Sequence, residues 1–262
     1  MYEDRYSYTP KTVMITGATG DFGRAFAMRF AALGCQLVLV GRNGEKLADL
    51  RQKISDKYTV AVHPCIFDMT DKDAMVRELG TIPDEFKAVD LLINNAGLAL
   101  GLDPAQKASL EDWETMVMVN NMALIRLTRF VIEGMAQRKA GHIINIGSTA
   151  GNYPYPGGNV YCATKAFVKQ FSLSLRADLP GTNVRVTNIE PGMIKTQFSE
   201  VRFKGNKEKA DDVYADTNNM TAEDVAEAVV WSATLPPYFN VNRMEIMPTV
   251  QSFAGHPIER FD

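Results

Sequence analysis

The sequence predicts an α/β protein with a doubly wound parallel sheet of seven strands in a single domain. Short runs of β-branched and aliphatic residues alternate with longer segments of helical periodicity, which is the pattern of successive βαβ units. Runs such as QLVLV at 36–40 are apolar throughout rather than alternating, so they indicate strands buried on both faces. A chain of 262 residues with 46% hydrophobic residues is long enough to bury such a core.

The predicted strands are spaced along the chain with room for a helix between most neighbours. They cover residues 11–16, 35–40, 59–67, 89–94, 141–146, 184–189 and 243–247. Two helix starts are marked by capping-box patterns, SLED at 109–112 and TAED at 221–224. Long helices are expected at 109–138 and 159–179.

Residues 191–220 have weak periodicity and many polar side chains. A segment of this length without clear periodicity is usually functional in a compact domain, and we predict a lid over the active site. The domain is expected to cover 12–248, after an N-terminal extension (1–11) and before a C-terminal tail (249–262).

Composition argues against several classes of partner. The formal net charge of −3 gives no bulk attraction to nucleic acid. The polar N-terminus does not resemble a signal peptide, and no apolar run approaches the roughly 18 residues of a membrane span. The three histidines lie too far apart in sequence to suggest a metal site. Three scattered cysteines are typical of reduced thiols in a cytoplasmic protein: Cys35, Cys65 and Cys162.

The first predicted strand leads directly into a glycine-rich turn, TGATGDFG, and then into a helix. Glycines in this position permit a tight turn and let the backbone approach a pyrophosphate at the helix N-terminus. The sequence therefore predicts a Rossmann-type dinucleotide site. The turn residues expected to contact the cofactor are Gly17, Thr19, Gly20, Phe22 and Gly23.

The end of the second strand indicates which dinucleotide binds. NAD sites usually place an acidic residue there for the ribose hydroxyls, but here LVGRNGEK supplies Arg42 and no acid before Glu45. A guanidinium binds a 2′-phosphate well, so the sequence predicts NADP(H). The alternative is a solvated surface arginine.

The segment GNVYCATKAF places Tyr161 and Lys165 on one face of a predicted helix. Hydride transfer to a carbonyl builds negative charge on its oxygen, which an adjacent phenol can protonate. We expect the Lys165 ammonium, together with the positive nicotinamide, to lower the pKa of Tyr161. Taken alone, the same spacing also fits a surface tyrosine beside a solvated lysine.

Together these motifs resemble the short-chain dehydrogenase/reductase family over nearly the whole chain, from Thr12 to about Pro248. The matching segments are FDM (67–69), NNAG (94–97), VNN (119–121), INIGSTAG (144–151), the Tyr161–Lys165 pair and EPG (190–192). By this resemblance the catalytic residues are Ser148, Tyr161, Lys165 and Asn120. Ser148 would bind the substrate oxygen, and Asn120 would hold a water that links Lys165 to solvent. Further cofactor contacts implied by the resemblance are Asp68, Asn95, Ala96, Gly97, Pro191, Gly192 and Ile194.

Within the family, segments such as NNAGLALG and IEPGMI resemble the NADP-dependent 3-hydroxy acid dehydrogenases. These act on serine, allo-threonine and 3-hydroxyisobutyrate, or reduce malonic semialdehyde. The resemblance also implies a homotetramer that packs through the helices at 109–138 and 159–179. Two alternatives remain at this point: a general carbonyl or 3-oxoacyl-carrier-protein reductase, and a non-catalytic NADP-sensing module.

A hydroxy acid substrate brings a carboxylate that needs a cation. Arg202 and Lys204 in the predicted lid are the candidates, and Tyr155 is expected to line the pocket together with Tyr153. The turn departs from the family pattern at Asp21, which stands where the middle glycine is usual. We expect Asp21 to cap the following helix and to repel the pyrophosphate.

Overall fold

The computed structural model describes residues 8–215 and 217–253. Seven strands in this part of the chain form one wholly parallel sheet in the order β3-β2-β1-β4-β5-β6-β7. This confirms the predicted fold class. The strands are β1 (Thr12–Thr16), β2 (Gln36–Gly41), β3 (Val62–Ile66), β4 (Leu91–Asn94), β5 (Gly141–Ile146), β6 (Val184–Pro191) and β7 (Arg243–Ile246).

The third strand is shorter than the predicted 59–67. It begins only where Val62 comes into register with Leu37 of β2. It also carries Pro64, which is tolerated because β3 lies at the edge of the sheet.

Helices cover both faces of the sheet and create two separate cores. Phe26, Leu47 and Val225 pack on one face, whereas Met75 and Leu127 pack on the other. Buried strands without polar alternation require this double cover. The helices are α1 (Asp21–Ala32), α2 (Gly44–Ser55), α3 (Lys72–Gly80), α4 (Asp84–Lys87), α5 (Leu110–Val117), α6 (Ala123–Arg138), α7 (Asn159–Asp178), α8 (Phe198–Arg202), α9 (Lys207–Asp212) and α10 (Ala222–Thr234).

The long helix predicted at 109–138 is interrupted by a π-helical turn at Met118–Met122, which separates α5 from α6. Such turns occur frequently at functional sites. The continuous run Leu110–Arg138 is long and apolar enough to span a membrane by length and composition alone. However, Leu127 and Val131 of this run pack into the core between α6 and the sheet, as expected for the core helix of a globular domain.

The predicted lid contains the two short helices α8 and α9, and Ile194 at its start pairs with Met220 at its end. It lies against the body of the protein. The Gly101 amide donates to the Arg202 carbonyl at 3.0 Å, and the Met193 amide donates to Gln251 Oε1 at 2.6 Å. Most of the predicted N-terminal extension and C-terminal tail, at 1–7 and 254–262, lies outside the described residues.

The strand order reverses between β1 and β4, because β2 lies on one side of β1 and β4 on the other. In open α/β sheets, ligands bind at the carboxyl ends of the strands at this switch point. The glycine-rich turn follows β1 and the NNAG segment includes the end of β4, so both motifs lie at this position.

Candidate active site

The glycine-rich turn needs its glycines for steric reasons. Gly17 has a φ of +61°, which favours glycine, and a Cβ there would lie 3.0 Å from the Ala96 Cα. A Cβ at Gly23 would lie 2.3 Å from the Gly17 carbonyl oxygen, so α1 packs directly onto the turn. Gly20 is the exposed N-cap of α1 and leaves the helix N-terminus open to an anion.

The loop after β4 is tied to this turn by Thr16. The Thr16 hydroxyl accepts from the Asn95 and Ala96 amides, each at 2.9 Å. The Asn95 side chain donates to the Thr16 carbonyl at 2.8 Å and to the Gly17 carbonyl at 3.2 Å. Asn95 and Ala96 therefore shape the cleft by holding two loops together.

Asp21 does not cap helix α1 as the sequence suggested. Gly20 occupies the N-cap position, no side chain caps the helix, and Asp21 is the first helical residue. Its Oδ2 instead accepts from the Gln197 amide at 2.7 Å. The Asp21 carboxylate therefore contacts the lid and does not cap the helix.

Arg42 follows β2 and is exposed, as a partner for a ribose phosphate would need to be. Its charge contributes to a lowered pKa of Asp68 at the end of β3, an effect that comes first from hydrogen bonds donated by Thr70. The Thr70 hydroxyl and amide donate to Asp68 Oδ1 at 2.7 and 2.8 Å. Arg42 and Asp68 thus lie on the same side of the cleft, at the ends of neighbouring strands.

The opposite side of the cleft is formed by the end of β6. Pro191 ends the strand, and the Gly192 amide donates to the Ile246 carbonyl of β7 at 2.8 Å. Ile194 is buried in the core beside α10. Thr19 and Phe22, in the turn at the far side, are half-buried, and the Phe22 ring packs near Phe26 with centroids 6.0 Å apart.

These residues fit a dinucleotide cofactor. A Cβ on Gly97 would lie 3.3 Å from Asn120 Oδ1 and 3.6 Å from the Lys165 Nζ. A glycine at this position leaves space beside Asn120 and Lys165, where the family resemblance places the nicotinamide ribose. The glycine turn, the exposed Arg42 and this gap line the same end of the sheet.

Tyr161 lies in an apolar cluster with Met116, Ala150 and Cys162, and only 8% of it is exposed. Burial raises the pKa of Tyr161 above its ordinary value, and the neighbouring Tyr155 adds to the rise. A hydrogen bond with Ser148 and the charge of Arg202 act in the opposite direction. The phenol is therefore protonated at neutral pH, as an acid that protonates a carbonyl oxygen must be.

Lys165 is buried one turn along α7, and its Nζ donates to the Ile146 carbonyl at 2.8 Å. The ammonium lies 5.9 Å from the centroid of the Tyr161 ring. Burial lowers the pKa of Lys165 to about 8. In the protein itself, burial of the phenol outweighs the charges near it, and a lowering of the Tyr161 pKa by Lys165 together with the nicotinamide stays a prediction.

Ser148 immediately precedes a short 3₁₀ turn, Thr149–Gly151, and lies on the same side of the site as Tyr161. Its Oγ accepts from the Ala150 amide at 3.1 Å and donates weakly to the Pro191 carbonyl at 3.4 Å. Ser148 is therefore both the cap of this turn and a hydrogen-bond partner of the Tyr161 phenol. The role of Ser148 as the cap of this turn is compatible with its expected role at the substrate oxygen.

Asn120 lies in the π-helical turn and is buried. Its side chain exchanges two hydrogen bonds with the Leu98 backbone, at 2.8 and 2.9 Å. It also donates to Thr164 Oγ1 at 3.0 Å, next to Lys165 in the chain. Asn120 thus links the β4 loop to the catalytic helix. Its expected role in holding a water stays a prediction.

Arg202 extends from α8 over Tyr161. Its guanidinium carbon is 5.1 Å from the Tyr161 ring centroid and 5.5 Å from that of Phe198. It donates to the Tyr155 hydroxyl through Nη2. Its Nε is buried and has no hydrogen-bond partner among the described residues. A guanidinium with an unpaired buried N–H beside the proton donor is suited to bind a carboxylate.

Two other sequence-predicted residues lie elsewhere. The Lys204 ammonium binds the Asp112 carboxylate on α5 at 2.8 Å, and 61% of the lysine side chain is exposed. The Tyr153 hydroxyl donates to Glu245 at 3.2 Å, and its ring stacks on Phe253. The structure therefore brings Arg202 and Tyr155 to Tyr161 but gives Lys204 and Tyr153 different partners.

A parallel α/β sheet with a dinucleotide cradle and a buried tyrosine–lysine–serine group defines a nicotinamide-dependent oxidoreductase of the Rossmann type. In agreement, the family model for short chain dehydrogenases matches residues 11–207. The chain belongs to the short-chain dehydrogenase family.

Three relatives show where in the family it lies. The chain is 52% identical to the NADP-dependent 3-hydroxy acid dehydrogenase YdfG of Salmonella typhi over 249 residues, which cover 95% of this chain and 99% of the relative. It is 46% identical to the serine 3-dehydrogenase of Agrobacterium fabrum, with 95% and 98% coverage. The solved closed form of serine dehydrogenase complexed with NADP+ superposes with a TM-score of 0.92 at 50% identity, and covers 95% of this chain and 100% of that one.

Proposed function

We propose that this protein is an NADP-dependent dehydrogenase of small 3-hydroxy acids. L-Serine, L-allo-threonine and 3-hydroxyisobutyrate are the candidate substrates for oxidation, and malonic semialdehyde is the candidate for reduction. The relatives described above are named for 3-hydroxy acids and for serine, and the residues that the family resemblance assigns to catalysis stand in this chain as Asn120, Ser148, Tyr161 and Lys165.

The observation that carries the substrate class is the position of Arg202. In a 3-hydroxy acid the carboxylate carbon is two bonds from the carbinol carbon. A substrate whose oxygen lies between Ser148 and Tyr161 therefore places its carboxylate within reach of a guanidinium above the Tyr161 ring, 5.1 Å from the centroid. The free Nε of Arg202 then gains a partner, and the buried charge is compensated.

Tyr161, Ser148 and Lys165 have separate roles in the proposed reaction. In reduction, the Tyr161 phenol donates its proton to the substrate oxygen, and the Ser148 hydroxyl binds that oxygen as negative charge develops. In oxidation, Tyr161 reacts as the phenolate, which Lys165 stabilises, and the phenolate becomes the neutral phenol when it accepts the hydroxyl proton. The bound nicotinamide supplies or receives the hydride. The apolar cluster around Tyr161 keeps bulk water out.

The NADP preference is supported by Arg42 and by the names of the relatives. Arg42 is exposed at the end of β2, where an acidic residue would select NAD. The main-chain amides at the start of α1 and the open Gly20 would receive the pyrophosphate.

Assembly is a further part of the proposal. Helices α5, α6 and α7 carry large apolar side chains that are exposed in the single chain, including Val117, Phe130 and Phe167. Such side chains suit burial between subunits, and we propose a homotetramer. The three cysteines are buried and unpaired, which suits a reducing cytoplasm. Light scattering of the purified protein tests the assembly directly.

The substrate class is tested by two lid variants that each remove one cation. Arg202→Met should raise the KM for L-serine and lower kcat/KM by about a hundredfold, because a charge-assisted hydrogen-bond pair is lost. Lys204→Met is the matched control and should change kcat/KM by less than about twofold, since its ammonium binds Asp112 at the surface. Equal losses in the two variants, or no loss in Arg202→Met, would refute Arg202 as the carboxylate anchor.

A further inference from the structure

Glu190 is a buried charge that takes no direct part in the chemistry above. It lies near the end of β6, immediately before Pro191, and is 0% exposed. A carboxylate removed from water is tolerated only when cations and hydrogen-bond donors surround it. The identity of those donors connects Glu190 to the active site.

Both oxygens of Glu190 are fully used. Oε1 accepts from the Asn188 amide group at 2.6 Å and from Arg243 Nε at 2.8 Å. Oε2 accepts from Arg243 Nη2 and from the Asn152 amide group, each at 2.7 Å. Burial raises the pKa of Glu190, but the hydrogen bonds from Arg243 and Asn152 outweigh that effect and lower it. The residue is an anion in the folded protein.

The donors are distributed around Ser148. Asn152 follows the 3₁₀ turn that Ser148 caps, so it fixes the far end of that turn. The Asn188 side chain lies against Gly147, where a Cβ would come within 2.7 Å of Asn188 Oδ1. Asn152 and Asn188, which both donate to Glu190, therefore lie next to the chain on the two sides of the serine.

The same carboxylate is joined to the nicotinamide side through the backbone. Glu190 is followed by Pro191, whose carbonyl accepts from Ser148 Oγ at 3.4 Å. Arg243 begins β7, which pairs with β6 through Pro191. Glu190 thus links the segment that binds the substrate oxygen to the strand that forms one wall of the nicotinamide pocket.

A connection to the catalytic helix completes this cluster. Lys169, one turn after Lys165 on α7, donates to Asn152 Oδ1 at 2.9 Å and to the Gly151 carbonyl at 3.3 Å. The helix that carries Tyr161 is therefore bonded to the same asparagine that binds Glu190.

We propose that Glu190 is a positioning residue that sets the distance between the Ser148 hydroxyl and the nicotinamide wall at Pro191. It touches neither substrate nor cofactor and acts through Asn152, Asn188 and Arg243. Small misplacements of a reacting group cost large factors in rate, so removal of this carboxylate lowers turnover even when the protein folds. The inference rests on the proposed function in one respect, which is the role of Ser148 as the donor to the substrate oxygen.

Asn152→Ala is the first test because it removes the side chain that joins Glu190 to the serine turn, together with the hydrogen bonds of that side chain to Lys169, Arg243 and Glu245. The Glu190–Arg243 ion pair remains, and Asn152 is half-buried, so the folded state should survive. We expect kcat to fall by about tenfold, with the KM for NADP+ and the Kd for NADPH changed by less than about twofold. The kinetic isotope effect with 3-deuterated substrate should rise toward its intrinsic value, because hydride transfer becomes slower than product release.

Glu190→Gln is the second test, together with the double variant Glu190→Gln/Arg243→Met. The amide places a donor against Arg243, so the single variant should lose both thermal stability and kcat. The double variant removes the unpaired charge and should recover Tm but not kcat. Glu227→Gln, which neutralises an exposed carboxylate paired with Arg29, is the matched control and should behave like the wild type.

Two results would overturn the proposal. One is a wild-type kcat in Asn152→Ala, and the other is a joint recovery of Tm and kcat in the double variant, which is the behaviour of a purely stabilising ion pair. Failure of the proposed substrate class appears differently, as inactivity of the wild type on every hydroxy acid. In that case the same variants are compared with whatever carbonyl compound the wild type reduces with NADPH, and the emission of bound NADPH reports changes at the nicotinamide without turnover.

Discussion

The cofactor side of the cleft, around the glycine-rich turn, is shaped mainly by backbone, whereas the substrate side, around Arg202, is shaped by side chains from distant segments. On the cofactor side, Gly17 and Gly23 matter because a side chain at either position would collide with the backbone or require a strained φ. On the substrate side, a lid residue reaches a loop tyrosine and a helix tyrosine. A site formed by backbone can be specified by a short local motif. A site formed by side chains from distant segments depends on how the lid packs. Variants on the two sides should therefore affect different kinetic constants.

The largest effect is expected where the two sides meet, at Tyr161. Tyr161→Phe removes the proton that is exchanged with the substrate oxygen, and kcat should fall by about a thousandfold. NADPH affinity, measured by fluorescence titration, should stay within about twofold because the phosphate cradle is remote. Tyr155→Phe is the matched control in the same pocket and should lose only about tenfold, through a looser Arg202. Retention of more than about a tenth of kcat in Tyr161→Phe would contradict its assignment as the acid–base residue.

We expect the buried Lys165 ammonium to lower the stability of the folded protein although activity requires it. Its pKa is lowered to about 8, so the folded state binds this proton less readily than the unfolded state. Below about pH 8 the buried charge costs folding about 3 kcal/mol, and the cost disappears as pH rises toward the unfolded pKa of 10.5. Lys165→Met should therefore be inactive but raise Tm by about 5 °C at pH 7.

The pH dependence of that difference is the sharper measurement. The gap in Tm between Lys165→Met and the wild type should close between pH 8 and pH 10, as followed by calorimetry. A gap that is independent of pH, or a less stable variant at pH 7, would show that the hydrogen bond to Ile146 outweighs desolvation.

A substitution at Arg42 should change the preference for NADP+ over NAD+ without changing the preference among substrates. Arg42→Asp replaces the partner of the 2′-phosphate by a like charge, and the KM for NADP+ should rise by about a hundredfold while NAD+ becomes usable. The ratio of kcat/KM for L-serine and L-allo-threonine should not change. Arg77→Asp, at another exposed arginine, on α3, is the control. An unchanged KM for NADP+ in Arg42→Asp would show that Arg42 is a solvated surface residue that does not bind the 2′-phosphate.

The smallest effect is expected at Asp21, which lies in the glycine-rich turn and accepts a hydrogen bond from the lid. Asp21→Asn removes the charge near the pyrophosphate and keeps an acceptor for the Gln197 amide, so NADP+ should bind about threefold more tightly with kcat unchanged. Asp21→Gly should also tighten NADP+ binding, but it loses the lid contact and should raise the KM for the hydroxy acid. Weaker NADP+ binding by the Asn variant would contradict the repulsion.

The sheet could be predicted from the sequence, because short β-branched or aliphatic runs mark all seven strands, although β3 is shorter than predicted. Gly17 and Gly23 of the motif lie where a side chain would collide with the backbone. The spacing of Ser148, Tyr161 and Lys165 also placed these residues together, because strand β5 and helix α7 are each regular and adjacent.

The substrate side was predicted only in part. Arg202 and Lys204 are equivalent in the sequence, and only the packing of α8 separates the one that faces Tyr161 from the one that binds Asp112. The role of Glu190 was overlooked although the strand VRVTNIEP displays the residue: a carboxylate in a strand that is buried along its whole length needs cationic or hydrogen-bonding partners. Its partner Arg243 lies 53 residues away, so no local pattern reveals the pair.

The most direct measurement is absorbance at 340 nm with purified protein, NADP+ and three acids: L-serine, L-allo-threonine and 3-hydroxyisobutyrate. The methyl ester of each acid serves as its neutral partner. We expect reduction of NADP+ with at least one acid, little with NAD+, and a loss of about a hundredfold in kcat/KM for the ester because Arg202 has no carboxylate to bind. Equal rates with acid and ester, or no reduction with any acid while NADPH reduces simple ketones, would contradict a 3-hydroxy acid dehydrogenase and indicate a general carbonyl reductase.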